Sequence, residues 1–532
     1  MEQLVHDTDA ERGRLIPCAF ALFDEVGAGK TKQCVDSAQI LFTQRRIDTV
    51  VALTPGFARS TWAEADPLLG EVAKHAWDGV PNVVHEFHGN YTDLDFSDTT
   101  ALHWVVSNFE FVRREERMDD LIYQLKGRRT WLIVDESWAV KGNSQQTKAV
   151  IRLRRKRADR VTILNGTPLA DGKPGDLYYQ FQILDPEIIG AKNRTHFRSK
   201  YCIMGGFQGK TIVDYQNLDE LNRRIAPYVL SRRTRDCFDL PPMLDPIMVE
   251  ARLTDATWKL YREQRDDMVT WLDDQVSVSK QAITRALRLA QITSGFLGGL
   301  EDVDQSDVGT VIPNMGQQEP TKEPVPGWLR RVSSYEDPPI HQETPTPSLA
   351  PLGKPGERPT VTREIGREKL DAFLNWLDTF PTQPDKLLVW CRFKPELIRA
   401  TTELGSIYPT VLNLKGGQTP DERKAAKAAL APGSSGRACV VGNPKAGGAS
   451  LNFSAANIAV YLSNGPALIE RTQSIGRIER PGATQPMLIV DIVATGPKGQ
   501  KTIDHHIMKS LRAKEDMARW TVAQWRQILA EE

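Results

Sequence analysis

CAFALFDEVGAGKTKQCVDSAQILF (18–42) runs from an apolar strand (18–23) through a glycine-bearing loop, DEVGAGKT (24–31), into a helix beginning at Thr31. The loop suits a triphosphate. Gly27 and Gly29, with Ala28 between them, let the backbone come close and aim N–H groups at phosphate oxygens. The helix N-terminus adds partial positive charge. Lys30 can reach the β- and γ-phosphates, and the Thr31 hydroxyl can ligate Mg²⁺. The strict pattern GxxxxGK[ST] is not met, because Asp24 stands at its first glycine. For the loop taken alone, a chance glycine turn is the competing reading.

A second stretch bears on that choice. WLIVDESW (131–138) is an apolar strand ending in two carboxylates. At such a strand end Asp135 fits the Mg²⁺ role, and Glu136 fits the group that polarises an attacking water. An exposed acidic turn is the alternative, and it loses force when a phosphate loop lies upstream at a lobe-sized separation. A third stretch, ERTQSIGRIERPGATQP (470–486), sets Arg477 and Arg480 three apart, on one face if the segment is helical. Arginine places a planar cation on charge that develops during phosphoryl transfer. A charged surface helix is the competing reading of this segment by itself.

Short apolar strands alternate with helices on both sides of these motifs. Upstream they are 18–23, TVVALT (49–54), WVVSN (104–108), 131–136 and RVTILN (160–165). Downstream they are KLLVWC (386–391), ACVVGN (438–443), IAVYLS (458–463) and MLIVDIV (487–493). Near-continuous apolar strands between helices predict parallel sheets covered on both faces, and two such series predict two α/β lobes. Between the series, 311–360 holds eleven of the 33 prolines. Such a stretch buries too little apolar surface to offset its ordering entropy, so a flexible insertion is expected. It is flanked by helical patterns, from Leu253 to Leu300 before it and over 367–380 after it, where Leu370, Phe373, Leu374 and Leu377 share a face.

At 532 residues the chain exceeds one hydrophobic core. Its 40% apolar and 26% charged content is that of an ordinary globular protein. No apolar run approaches the roughly 20 residues of a membrane span, and the polar, acid-bearing N-terminus is not expected to act as a signal peptide. The expectation is a cytoplasmic protein of a bacterium or a phage-infected cell, the nucleus remaining open. Six scattered cysteines without a CxxC pair give neither a zinc site nor a disulfide framework. The formal charge of +0 excludes a protein basic all over. Local clusters remain at Arg113-Arg114, Lys126 with Arg128-Arg129, RLRRKR (152–157) and Arg232-Arg233 with Arg235; a solvated helix face is the alternative for each.

With the three motifs in register, the chain resembles helicase superfamily two, and within it the Swi/Snf-type ATPases, from about residue 16 to 515. DEVGAGKT is similar to that family's motif I, usually DExGxGKT. TPGFARSTWAEA (54–65) resembles motif Ia, SNFEFVRRE (107–115) the next DNA-contacting segment, DESW (135–138) motif II and LNGTPLAD (164–171) motif III. YVLSRRTRDCFDLPPM (228–243) and TDATWKLYREQ (254–264) resemble the stretch between the lobes. LLVWCRF (387–393), KAGGASLNF (445–453) and QSIGRIERPGA (473–483) match motifs IV, V and VI.

The resemblance implies an α/β fold of two tandem RecA-like parallel-sheet lobes with helical insertions. Lobe 1 is expected over 1–230, an inter-lobe linker and helical insertion over 231–310, the Pro-rich insertion over 311–360 and lobe 2 over 361–532. ATP with Mg²⁺ is the implied cofactor pair. Gln473, Arg477 and Arg480 are the implied motif VI residues at the nucleotide. Thr54, Pro55, Asn108, Arg392, Gly447 and Gly448 are implied to line a groove for DNA, met mainly through phosphates and without sequence preference. Two features depart from the pattern. The family's adenine-reading glutamine segment upstream of motif I has no counterpart, and position 476 is glycine where Swi/Snf-type proteins commonly carry aspartate. The implied activity is ATP-dependent translocation on duplex DNA. The alternatives are strand separation or branch migration on forks, an RNA helicase, and a nucleotide-gated scaffold without turnover.

Overall fold

The computed structural model describes residues 18–67, 70–169, 173–205, 211–274, 280–298, 362–445 and 451–516. The Pro-rich insertion and the pair Gly447 and Gly448 lie outside the described residues. The strands of the first half are β1 (Cys18–Leu22), β2 (Thr49–Thr54), β3 (Asn82–Glu86), β4 (Leu102–Asn108), β5 (Thr130–Val134) and β6 (Ala158–Leu164). A hairpin follows, β7 (Cys202–Gly205) with β8 (Thr211–Tyr215), and then β9 (Val229–Leu230). All but the hairpin form one sheet in the order β3-β4-β2-β5-β6-β1-β9, every neighbouring pair parallel.

The second half supplies β10 (Ile247–Arg252), a small antiparallel pair of β11 (Phe296–Leu297) and β12 (Arg363–Glu364), then β13 (Lys386–Trp390), β14 (Thr410–Leu414), β15 (Ala438–Gly442), β16 (Ile458–Tyr461) and β17 (Leu488–Thr495). Its main sheet runs β10-β17-β16-β13-β15-β14, again parallel throughout. The two parallel-sheet lobes are those expected from the strand pattern.

Period-two alternation, with both faces of each sheet covered, explains why the interior strands are largely apolar on both alternating sets. In β2, Val51 and Leu53 enter the hydrophobic cluster on one face of the sheet, while Val50 and Ala52 enter the cluster on the other. In β13, Leu387 and Val389 face one way and Leu388 and Trp390 the other. Both faces carry helices, so both sets are mostly apolar.

Within the stretch 231–310, expected as a linker with a helical insertion, the described residues from Ile247 onward are tied to the second lobe. β10 pairs with β17 over six residues. Trp258 and Tyr261 of helix Asp255–Asp274, with Leu287 and Ile292 of helix Lys280–Thr293, are buried against Phe393, Leu468, Val493 and Ile507. Each such side chain contributes roughly 1.5–3 kcal/mol when removed from water. The connection between the sheets is therefore confined to the residues after Leu230 and before Ile247.

Candidate active site between the lobes

Parallel strands place all their carboxyl ends on one edge, and loops leaving that edge build the site. The phosphate loop leaves β1. Gly27 and Gly29 take φ of 93° and 81°, a left-handed conformation open to glycine at little cost. Gly29 is the N-cap of helix Lys30–Thr43 and gives it no side-chain cap. The first N–H groups of the helix thus point to the loop, as an anion site requires. A Cβ at Gly29 would meet nothing within 4 Å, so the cradle has open space. Thr31 sits on the first turn, partly buried. Lys30 Nζ donates to the carbonyls of Asp24 (2.8 Å) and Glu25 (3.0 Å). Burial pulls its pKa below the usual lysine value, against the opposing pull of Glu136, Asp135 and Asp24. These donors and the open approach at Gly29 fit a phosphate chain.

Asp135 and Glu136 follow β5. Glu136 lies at φ 49°, ψ 53°, which costs a non-glycine residue about 1 kcal/mol. Its backbone N–H donates to Asp135 Oδ1 at 2.9 Å. Trp62 Nε1 donates to Asp135 Oδ2 at 2.9 Å, and Trp138 Nε1 to Glu136 Oε2 at 2.6 Å. Burial raises both carboxyl pKa values; Glu136, with the Asp135 charge beside it, is pushed up to about 7. The two tryptophans orient the acid pair, a role the sequence did not announce. Trp138 stood inside the quoted DESW, but Trp62 lies 73 residues upstream and only the fold brings it there.

The second lobe closes on this edge. Gln473 Nε2 donates to Glu136 Oε2 at 3.2 Å. Arg477 is 3% exposed; burial, with Arg480 nearby, pushes its pKa down to about 9 against the attraction of Glu136. Arg480 is pushed down to about 10 by burial, opposed by Glu71 and Glu136. Their shared helical face is not present. Helix Leu468–Ile475 ends at the Gly476 C-cap, and both arginines lie in the turn that follows. The turn still aims them at the loop: a Cβ on Gly27 would come within 3.4 Å of Arg480 Cγ.

Gly476 explains its own identity. A Cβ there would stand 2.9 Å from Val26 Cβ and Cγ1, and a Cβ at Gly166 would stand 2.7 Å from Val26 Cγ2. Val26 is thus clasped between the motif III and motif VI glycines, and aspartate at 476 does not fit this approach.

The expected groove residues lie on the same edges. Thr54 and Asn108 end β2 and β4 in register; Thr54 Oγ1 donates to the Pro55 carbonyl at 2.9 Å, and Asn108 Nδ2 donates to Glu110 at 3.0 Å. Arg392 follows β13 and is 8% exposed, its guanidinium 5.2 Å over the Phe393 ring. Several basic clusters are engaged in ion pairs: Arg128 and Arg129 with Asp48, Arg152 with Asp119, Arg232 with Asp24 and Arg235 with Glu479. They are not simply open positive surface. Among the described residues no helix is long and apolar enough to cross a membrane.

A phosphate loop and an acid pair on one parallel-sheet lobe, met by two arginines from a second, define the two-lobed core of helicase superfamily two, Swi/Snf type. The chain belongs to the SNF2-related domain family, which matches residues 16–295, more than half of its length. It is 22% identical over 542 residues to the TATA-binding protein-associated factor MOT1 of Saccharomyces cerevisiae, covering 96% of this chain and 26% of MOT1. It is 22% identical over 516 residues to the chromatin remodeling factor mit1 of Schizosaccharomyces pombe, covering 93% of this chain and 32% of mit1. The chain thus spans between a quarter and a third of these relatives. Two solved structures are similar at 17% identity and a TM-score of 0.35: the Sulfolobus solfataricus SWI2/SNF2 ATPase core in complex with dsDNA and the same core domain, covering 90% of this chain and 84% and 81% of theirs. Both curated relatives are yeast proteins, so the expected bacterial or phage cytoplasm gains no support.

Proposed function

We infer that the chain is an ATP-driven translocase acting on duplex DNA. The observation that carries this reading is the contact of Gln473 with Glu136, which makes the hydrolytic carboxylate part of the interface between two lobes. Lys30 and the N–H groups of Gly27 to Thr31 bind the phosphates. Asp135 and Thr31 would hold Mg²⁺, which when bound would supply positive charge against the charge that develops on the phosphates. Glu136 orients a water and accepts its proton. Arg477 and Arg480 place cations beside the transferred group, a contribution of roughly 10³–10⁵ in rate where arginine fingers operate.

The electrostatics link closure to the nucleotide. Burial disfavours both arginine cations in the closed arrangement. A triphosphate between the lobes supplies the negative charge that stabilises them, and its hydrolysis weakens that hold. Opening and closing then shift the edge bearing Thr54 and Asn108 relative to the edge bearing Arg392, the alternation a stepping motor needs. Duplex DNA is the favoured track because the chain is of the SNF2-related family and one of its relatives is named for remodelling chromatin. A triplex-displacement assay tests it. ATP-dependent release of a third strand from a duplex, with the duplex left paired, is the expected result. Release of single strands from a fork, without triplex displacement, would instead select the strand-separating reading.

A further inference from the structure

The mechanism above leaves unused the connection that runs from β9 toward the second lobe. Asp24, the residue that breaks the generic phosphate-loop pattern, is fully buried. A buried carboxylate needs charge and hydrogen-bond partners, and it finds them in this connection. Arg232 approaches with its backbone N–H at 2.9 Å and its Nε at 3.2 Å from Oδ1, and its Nη2 at 2.5 Å from Oδ2. Gln33 Nε2, on the helix beyond the loop, donates to the same Oδ2 at 3.1 Å. The network therefore grips the phosphate loop at both of its ends.

The chain then follows the loop residue by residue. Glu25 N–H donates to the Arg232 carbonyl at 3.0 Å. Thr234 N–H donates to the Glu25 carboxylate at 3.0 Å, and Thr234 Oγ1 to the Val26 carbonyl at 2.9 Å. A Cβ at Gly27 would lie 3.6 Å from Thr234 Cγ2 and 3.4 Å from the Glu479 carbonyl. One residue later, Arg235 Nε donates to Glu479 Oε1 of the second lobe at 2.6 Å. Glu479 sits between Arg477 and Arg480 in sequence, so the strap reaches the turn that carries both arginines.

We propose that residues 231–235 form a positioning strap: Arg232, through Asp24, sets the conformation of the phosphate loop, and Arg235, through Glu479, passes that setting to the arginine-bearing turn. The proposal rests on the ATP-motor reading and adds positioning residues to it. A merely structural continuation of the sheet edge would need Asp24 and Arg232 but not Arg235 with Glu479. That ion pair is 37% and 25% exposed, and pairs so exposed add little to stability.

The test measures binding of a fluorescent ATP analogue with Mg²⁺, duplex-stimulated turnover and thermal melting on the full chain. Arg235→Glu and Glu479→Arg should each lower stimulated kcat about tenfold, with analogue affinity and melting near wild type, and the double exchange should restore most of the loss, as expected for directly coupled neighbours. Arg232→Met should weaken analogue binding about tenfold, and Asp24→Asn with Arg232→Met should bind no worse than Arg232→Met alone, since one network is removed. Should the Arg232 variants fail to fold, the charge exchange, made on the surface, still decides. Single exchanges with wild-type turnover, or a double exchange without recovery, overturn the strap and leave the motor reading standing. A wild-type chain that turns over no ATP overturns both.

Discussion

The Gln473 carboxamide of the second lobe donates to the Glu136 carboxylate of the first at 3.2 Å, so the residue assigned to water activation is reached only when the lobes are together. Glu136→Gln should keep ATP binding and lower turnover about 10²–10⁴-fold, the range of a lost general base. Turnover at the wild-type rate would remove Glu136 from that role.

The same carboxylate sets a pH dependence. Burial and the neighbouring Asp135 push it up to about 7, so the deprotonated form that accepts a proton is lost as pH falls through neutrality. In the unliganded protein kcat/KM for ATP should rise about tenfold from pH 6 to pH 8, the step belonging to the coupled acid pair. A flat profile over that window contradicts this environment for Glu136.

Arg477→Ala should leave fluorescent-nucleotide affinity within a few-fold and abolish DNA-stimulated turnover, with a loss of roughly 10³-fold or more. Lys30→Ala should instead abolish nucleotide binding. The contrast separates a cation that acts on the reacting group from one that holds the ground state.

Trp62 offers a test on metal dependence. Its indole N–H donates to Asp135 and holds that carboxyl toward its ionised form. Trp62→Phe keeps the aromatic volume but removes the donor. The Mg²⁺ concentration for half-maximal turnover should rise roughly 10–100-fold, as for other groups that orient a metal ligand. An unchanged Mg²⁺ requirement would mean that Trp62 only packs.

The nine strands read from the apolar runs are the interior strands of the two sheets. Those missed in these two sheets, β3, β9, β10 and β14, are their four edge strands, and the two short antiparallel pairs β7-β8 and β11-β12 were not read either. The reason is physical. An interior strand is covered on both faces and is largely apolar along its length, whereas Asn82–Glu86 and Ile247–Arg252 are half open and carry His85, Glu86, Glu250 and Arg252. Motifs I, II and VI were legible because their chemistry is local in sequence. The Trp62–Asp135 contact and the Arg232–Asp24 network were not, since partners 73 and 208 residues apart leave no periodic trace.

Gly476 carries a prediction drawn from that close approach. Gly476→Ala places a methyl 2.9 Å from Val26 Cβ, pressing the arginine turn away from the phosphate loop. Stimulated kcat should fall about tenfold with nucleotide affinity nearly unchanged, and Val26→Gly in the same chain should recover part of the loss through direct coupling. Additive losses would place the effect elsewhere.

Steady-state ATP hydrolysis should be measured without nucleic acid and with single-stranded DNA, plain duplex, forked DNA and RNA, beside the Glu136→Gln control. A duplex-driven ATP motor predicts strong stimulation by plain duplex and none in the control. ATP binding without turnover under every condition would contradict it and leave a nucleotide-gated scaffold.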